Sequence, residues 1–155
     1  MSLEKLNHKR LAYEQVYVGL TDIQRSYEKI AQHLVKFANT TIPKNPEEVA
    51  LIDSANRNIK LASDNIARVE DIKFICGLAI LTDGSMATPQ EITFVIESLE
   101  ELILTAENEK KVGDEAIIEW AEMKEKYLKE AKRILFELLN YKLNRQVYFK
   151  QTELQ

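Results

Sequence analysis

The sequence predicts an all-α fold, an antiparallel four-helix up-down bundle with long coiled-coil-like helices and a shorter third helix. Three observations carry this expectation. Glycine and proline number only four and three in 155 residues, too few to punctuate a many-stranded sheet. Apolar residues recur along most of the chain in pairs spaced as the a and d positions of a heptad. Start and stop signals for helices stand between the periodic runs. The length suits one domain spanning residues 1–155, and 45% apolar with 30% charged residues is ordinary for a globular chain.

The first helix is expected over residues 3–39. Tyr13/Val16, Leu20/Ile23, Tyr27/Ile30 and Leu34/Phe37 form successive a/d pairs, preceded by Leu6 with Lys9 at the first d position. Such a stripe demands a partner helix. Gly19 costs about 1 kcal/mol against Ala in a helix interior, and Thr21 to Gln24 has the form of a capping box that would start a second helix. The heptad passes through Gly19 unshifted, so a single helix, bent at most, is the expectation.

NTTIPKNP ends that helix and starts the next. Asn45 is a natural N-cap, Pro46 suits the first helical position, and Glu47 and Glu48 complement the positive end of the helix dipole. The second helix is expected over 46–81, with Ile52/Ala55, Ile59/Ala62 and Ile66/Val69 on its seam, then Lys73 and Cys76 in the same frame. Its last two turns are FICGLAIL, residues 74–81, apolar all round and therefore expected to be covered all round. Gly84 is the expected stop.

TPQE, residues 88–91, is a capping box with proline at the first helical position. The third helix, 89–111, is expected to bury Ile92, Val95, Leu99, Leu102 and Ala106. Lys110 and Lys111 suit its C-terminus, and Gly113 with Asp114 reads as stop and restart, the alternative being one helix read through Gly113. The fourth helix, 114–150, carries Ile117/Trp120, Tyr127, Ala131/Ile134 and Leu138/Tyr141.

The expected lengths do not match. At 1.5 Å per residue the first, second and fourth helices run about 55 Å and the third about 35 Å. The fourth helix should overshoot one end of the bundle near residues 140–150 unless it breaks at Asn140 or Asn144 and folds back. At the other end, the hairpin of the first two helices should lack cover. Exposed apolar hairpins and projecting helices are features of oligomers and docking sites.

Composition narrows function by exclusion. A net charge of −4 and a pI of about 5.4 oppose a general nucleic-acid or anionic-membrane binder. FICGLAIL is too short to span a bilayer, which takes about 20 apolar residues, and MSLEKLNHKRLAYEQ lacks a secretory apolar core. A single cysteine, Cys76, permits neither an internal disulfide nor a multi-cysteine metal site and suits a reducing compartment. The two histidines, His8 and His33, have no second ligand at helical spacing, and the four glycines are isolated, so no di-iron or phosphate-loop pattern is present.

Three patterns deserve weighing against plainer explanations. The acidic third helix carries Glu97, Glu100 and Glu101, the start of a divalent-metal pattern of a carboxylate-dependent hydrolase. Lys111 stands where its further glutamate is needed, and Glu97 and Glu101 lie roughly 160° from Leu99, on the outer face. A solvated or partner-facing surface is the better reading. YKLNRQVYFK, residues 141–150, mixes three cations with three aromatics, a composition that stacks on unpaired bases; NHKR near the N-terminus would extend it. The plainer account is a packing stripe with basic side chains at a helix C-terminus. Trp120, Tyr13, Tyr17 and Tyr27 suit core packing better than a ligand pocket.

The expectation is a cytoplasmic, non-enzymatic protein without cofactor or metal, acting through protein–protein contacts with a second copy of itself or another helical protein. Its expected contact residues are Glu97, Glu101 and Leu104 on the outward face of the third helix. At the overhanging end of the fourth they are Tyr141, Lys142, Arg145, Tyr148, Phe149 and Lys150. The alternative is an accessory nucleic-acid-binding protein using the basic-aromatic end.

Overall fold

Asn45, Thr88 and Asp114 each receive a backbone N–H at the start of a helix, and these caps set the chain's layout. The computed structural model describes residues 3–82 and 84–153, with side chains over 10–82, 84–111 and 113–144. Its elements are α1 (Leu3–Thr40), α2 (Pro46–Thr82), α3 (Pro89–Val112) and α4 (Glu115–Glu153). The Glu48 N–H donates to Asn45 Oδ1 at 2.8 Å, while the Glu48 carboxylate accepts the Lys44 N–H at 2.7 Å. Thr88 and Glu91 close the expected capping box, both bonds at 3.1 Å. The Ile117 N–H donates to Asp114 Oδ1 at 3.1 Å, so α3 and α4 are separate helices.

Short connections make each helix antiparallel to the next. α1 lies along α2 and α3 along α4, and the α2–α3 and α1–α4 contacts close the bundle. α1 runs through Gly19 and Thr21 without a break: the Thr21 hydroxyl donates to the Tyr17 carbonyl at 3.0 Å, as a threonine inside a helix does, and caps nothing. Gly19 has a packing reason. A Cβ there would lie 2.4 Å from the Tyr127 ring, so glycine lets α4 lay an aromatic side chain directly on α1. Gly84 has a backbone reason, with φ at +80° in the turn after α2.

The core is built as the spacing predicts in the body of α1 and on α3. On α2 the expected d positions are buried, but Ile52, Ile59, Ile66 and Lys73 at the expected a positions are only half-buried, and Asn65, Ile72 and Ala79 take their place. Val16, Leu20 and Ile23 of α1, Val69 and Cys76 of α2, and Ile92, Val95, Leu99 and Leu102 of α3 are buried. The α4 seam differs from the expectation. Its buried residues, among those described, are Ala121, Lys124, Glu125, Leu128, Ala131, Ile134, Leu135 and Leu139, whereas Ile117 and Tyr141 are exposed. Lys124 occupies a core position and interrupts the apolar pattern there, which moves the apparent stripe toward Ile117 and Trp120.

FICGLAIL also differs. Ile75, Cys76 and Ala79 are buried, but Phe74 is 62% and Leu81 79% exposed. The neighbours α1 and α3 cover two sides of this segment; its outer face is bare. Lys73, an a-position cation, is accommodated at the edge, donating to Gln24 Oε1 at 3.1 Å with its ammonium 4.9 Å from the centre of the Tyr17 ring.

Gly19→Ala should destabilise the bundle despite the gain in helix propensity. The propensity gain is about 1 kcal/mol, and forcing a methyl into the Tyr127 ring costs about 1–3 kcal/mol. Urea unfolding followed by circular dichroism decides the sign, and a more stable variant would show that the ring moves aside freely.

Candidate functional site

Lys124 is the most unusual side chain of the interior. It is fully buried, and its Nζ lies 2.6 Å from Glu109 Oε2 of α3 and donates to the Tyr27 hydroxyl of α1 at 3.1 Å. The ammonium stands 3.4 Å from the centre of the Trp120 ring and 4.9 Å from that of Tyr27, and the two rings meet edge to face at 5.6 Å. A carboxylate, a hydroxyl and two aromatic faces replace the water that this cation loses. Burial still pulls its pKa below the usual lysine value, against the opposing pull of Glu109. Burial also pushes the Tyr27 hydroxyl up, helped by the charge of Glu109. The Lys124 ammonium is engaged on all these sides at once, so it ties α1, α3 and α4 together.

A second charged cluster clamps α3 to α4 nearer the surface. Glu125 is held by both Lys110 and Lys129, whose ammonium groups keep its carboxyl below the usual range. Cys76 is buried with its thiol pushed up to about 12 by desolvation, which leaves it protonated and unreactive at neutral pH. Among the described residues, no three His, Cys, Asp or Glu side chains gather to hold a metal ion. No helix among them is long and apolar enough to cross a membrane.

The surfaces expected to bind partners are placed as follows. Glu97, Glu101 and Leu104 are exposed on α3, with Leu104 at 51%. Phe94, also exposed, extends their stripe by one turn. Glu97 and Glu101 line a shallow groove of about 380 Å³ with Glu100, Ser98, Phe94 and, from α2, Arg68. Arg68 donates to Asn65 Oδ1 at 2.8 Å. On α4, Tyr141 is half-exposed, and Lys142 reaches back to the Ser85 carbonyl at 3.4 Å, pinning α4 to the α2–α3 turn. The helix continues unbroken past Asn140 and Asn144. The side chains of Arg145, Tyr148, Phe149 and Lys150 lie outside the described residues.

A bare apolar surface also lies at the opposite end. α1, at 38 residues, outruns α3, at 24, by about 20 Å. Beyond Tyr27 no residue of α1 is buried, and before Ala62 the one buried residue of α2 is Ala55. This α1–α2 tip exposes Ile30, Phe37, Ile42, Val49, Leu51 and Leu61. An uncovered hairpin is what the helix lengths predict here, and Ile30 and Phe37 stand on the predicted a/d seam, although the expected contact residues lie elsewhere.

Comparison with protein-family models, with curated proteins and with solved structures finds no match for this chain.

Two expectations follow for the charged clusters. Lys124→Ala strands Glu109 and opens a cavity, and should cost about 3–5 kcal/mol in urea unfolding. Lys124→Met strands the same carboxylate without the cavity, and only the double variant Lys124→Met/Glu109→Gln, which removes both charges, should cost much less. Glu125 has a depressed folded pKa, so its stabilisation is fully present above the usual value of 4.5 and is lost as the pH falls through the lower folded value. Glu125→Gln should therefore flatten the acid side of a thermal-stability profile below pH 4.5 and leave a slope contributed by the other carboxylates; an unchanged slope would refute the coupling.

Proposed function

We propose that this chain is a cytoplasmic, non-enzymatic helical-bundle protein that works through protein–protein contacts and associates with itself. The observation that carries the reading is the continuation of the a/d stripe of α1 beyond its cover. Val16 and Ile23 are 1% and 0% exposed, and the same heptad position seven and fourteen residues on, Ile30 and Phe37, is 39% exposed at both. An apolar seam kept in register for three turns past its covering helices is a surface that a further helix would complete. The exposed stripe of Phe94, Glu97, Glu101 and Leu104 offers a second, polar-edged face for another helical protein.

The test is absolute mass by light scattering behind size exclusion across a hundred-fold range of concentration. The expected result is a species of twice the 17.9 kDa chain mass that dissociates on dilution. A constant 17.9 kDa at every concentration would overturn self-association.

The half-exposed Tyr141 beside Lys142 keeps single-strand nucleic-acid binding as a second reading. It requires short oligonucleotides to shift at low salt and the shift to vanish on replacing Lys142, Arg145 and Lys150. An acidic chain that shifts none of them leaves the assembly reading alone.

A further inference from the structure

We propose that a second copy of this chain covers the α1–α2 tip, its own tip lying antiparallel in the space beyond α3 and α4. The inference rests on the assembly reading and names the surface and the symmetry. It begins from heptad positions. On α1, Val16 and Ile23 are buried and Ile30 and Phe37 are bare; on α2, Ile72 and Ala79 are buried and Leu51, at the same heptad position, is 59% exposed. Ile75 is 3% exposed, and Leu61, fourteen residues earlier, is 47% exposed. In the body, α3 and α4 flank these positions. In the tip Ile30, Phe37, Leu51 and Leu61 keep apolar groups on these faces, interrupted on α2 by Ser54 and Asn58, and all four are partly exposed.

A second tip supplies what is missing. It brings two helices of the same length and apolar spacing, already held together within each tip by the buried Ala55 and Ala62. Four helices then pack in cross-section, as they do in the body, around a two-fold axis. Charge does not oppose self-contact at the tip: residues 28–61 hold five basic and four acidic side chains, nearly neutral, while the excess of negative charge, −5, lies in the rest of the chain. A face about 20 Å long and two helices wide offers about 400 Å² per copy, roughly half of a standard specific interface, so the dimer is a weak one and should dissociate on dilution. Antiparallel overlap also sets Ile42, 81% exposed in the α1–α2 turn, beside the α3–α4 end of the other copy, where Ile117 is 42% exposed.

The experiment compares the full chain with Ile30→Glu/Phe37→Glu and with Phe74→Glu/Leu81→Glu, a bare apolar pair of α2 remote from the tip. Mass is read by light scattering and folding by circular dichroism. The proposal expects a dimer for the parent and for the Phe74/Leu81 variant, and a two-fold drop in mass with unchanged helicity for the tip variant. A dimer that survives the tip substitutions overturns the tip interface while leaving self-association standing. A parent that is monomeric throughout overturns both. Should the tip variant lose helicity, the double variant I42C/I117C decides the matter. The two sites lie too far apart within one chain to bridge. Mild oxidation should give a covalent dimer that needs both substitutions, and a parent dimer whose double variant yields no such species overturns the proposal.

Discussion

An amphipathic helix is stable in water only where something covers its apolar stripe, and in this chain α3 is too short to share that duty along the full length of α1 and α2. With 24 residues against 38 and 37, it leaves a body of four helices and a tip of two. The buried residues follow this division. Tyr13 to Tyr27 pack in a complete cross-section, and from Ile30 onward the same stripe stands partly in solvent. The proposed self-association is a consequence of that single mismatch, since large apolar side chains held in register are each worth about 1.5–3 kcal/mol on full burial.

The polar interior is gathered near the boundary between the two regions. Lys124 meets Glu109, Tyr27 and Trp120 there, so one cation links α1, α3 and α4 close to the α3–α4 turn. A buried ion pair adds little net stability compared with an apolar group of the same shape. Its effect is geometric: any shift of α4 along α1 or α3 would strand a charge out of water. Gly19 under the Tyr127 ring constrains the same α1–α4 interface by shape, which leaves the register doubly determined.

Much of the fold was legible. The caps at Asn45, Thr88 and Asp114 announce themselves through residue type and spacing because each answers a local need of orphaned backbone N–H groups. The stripes of α1 and α3 were equally clear, as were the d positions of α2. The α4 seam was not, because a lysine in a core position looks the same in sequence as a lysine on a surface until Glu109 and two aromatic rings are seen around it. FICGLAIL misled for the converse reason. Its apolar composition says nothing about how many neighbours reach it, and Phe74 and Leu81 face outward. Of the expected contact residues, Glu97, Glu101 and Leu104 share an exposed face; Ile30 and Phe37 lie on the expected seam at the end expected to lack cover, and fall outside the expected contact residues.

By itself the sequence determined what depends on near neighbours along the chain: four helices, their ends, their relative lengths and the apolar side of α1 and α3. These follow from capping, dipole and periodicity, which act over a turn or two. Only the tertiary structure decided which apolar residues are covered, that Lys124 is buried, and that Gly19 is a seat for an aromatic ring. Those outcomes depend on residues far along the chain, Tyr127 for Gly19 and Tyr27 for Lys124, and burial is a property of the neighbours a residue meets in space.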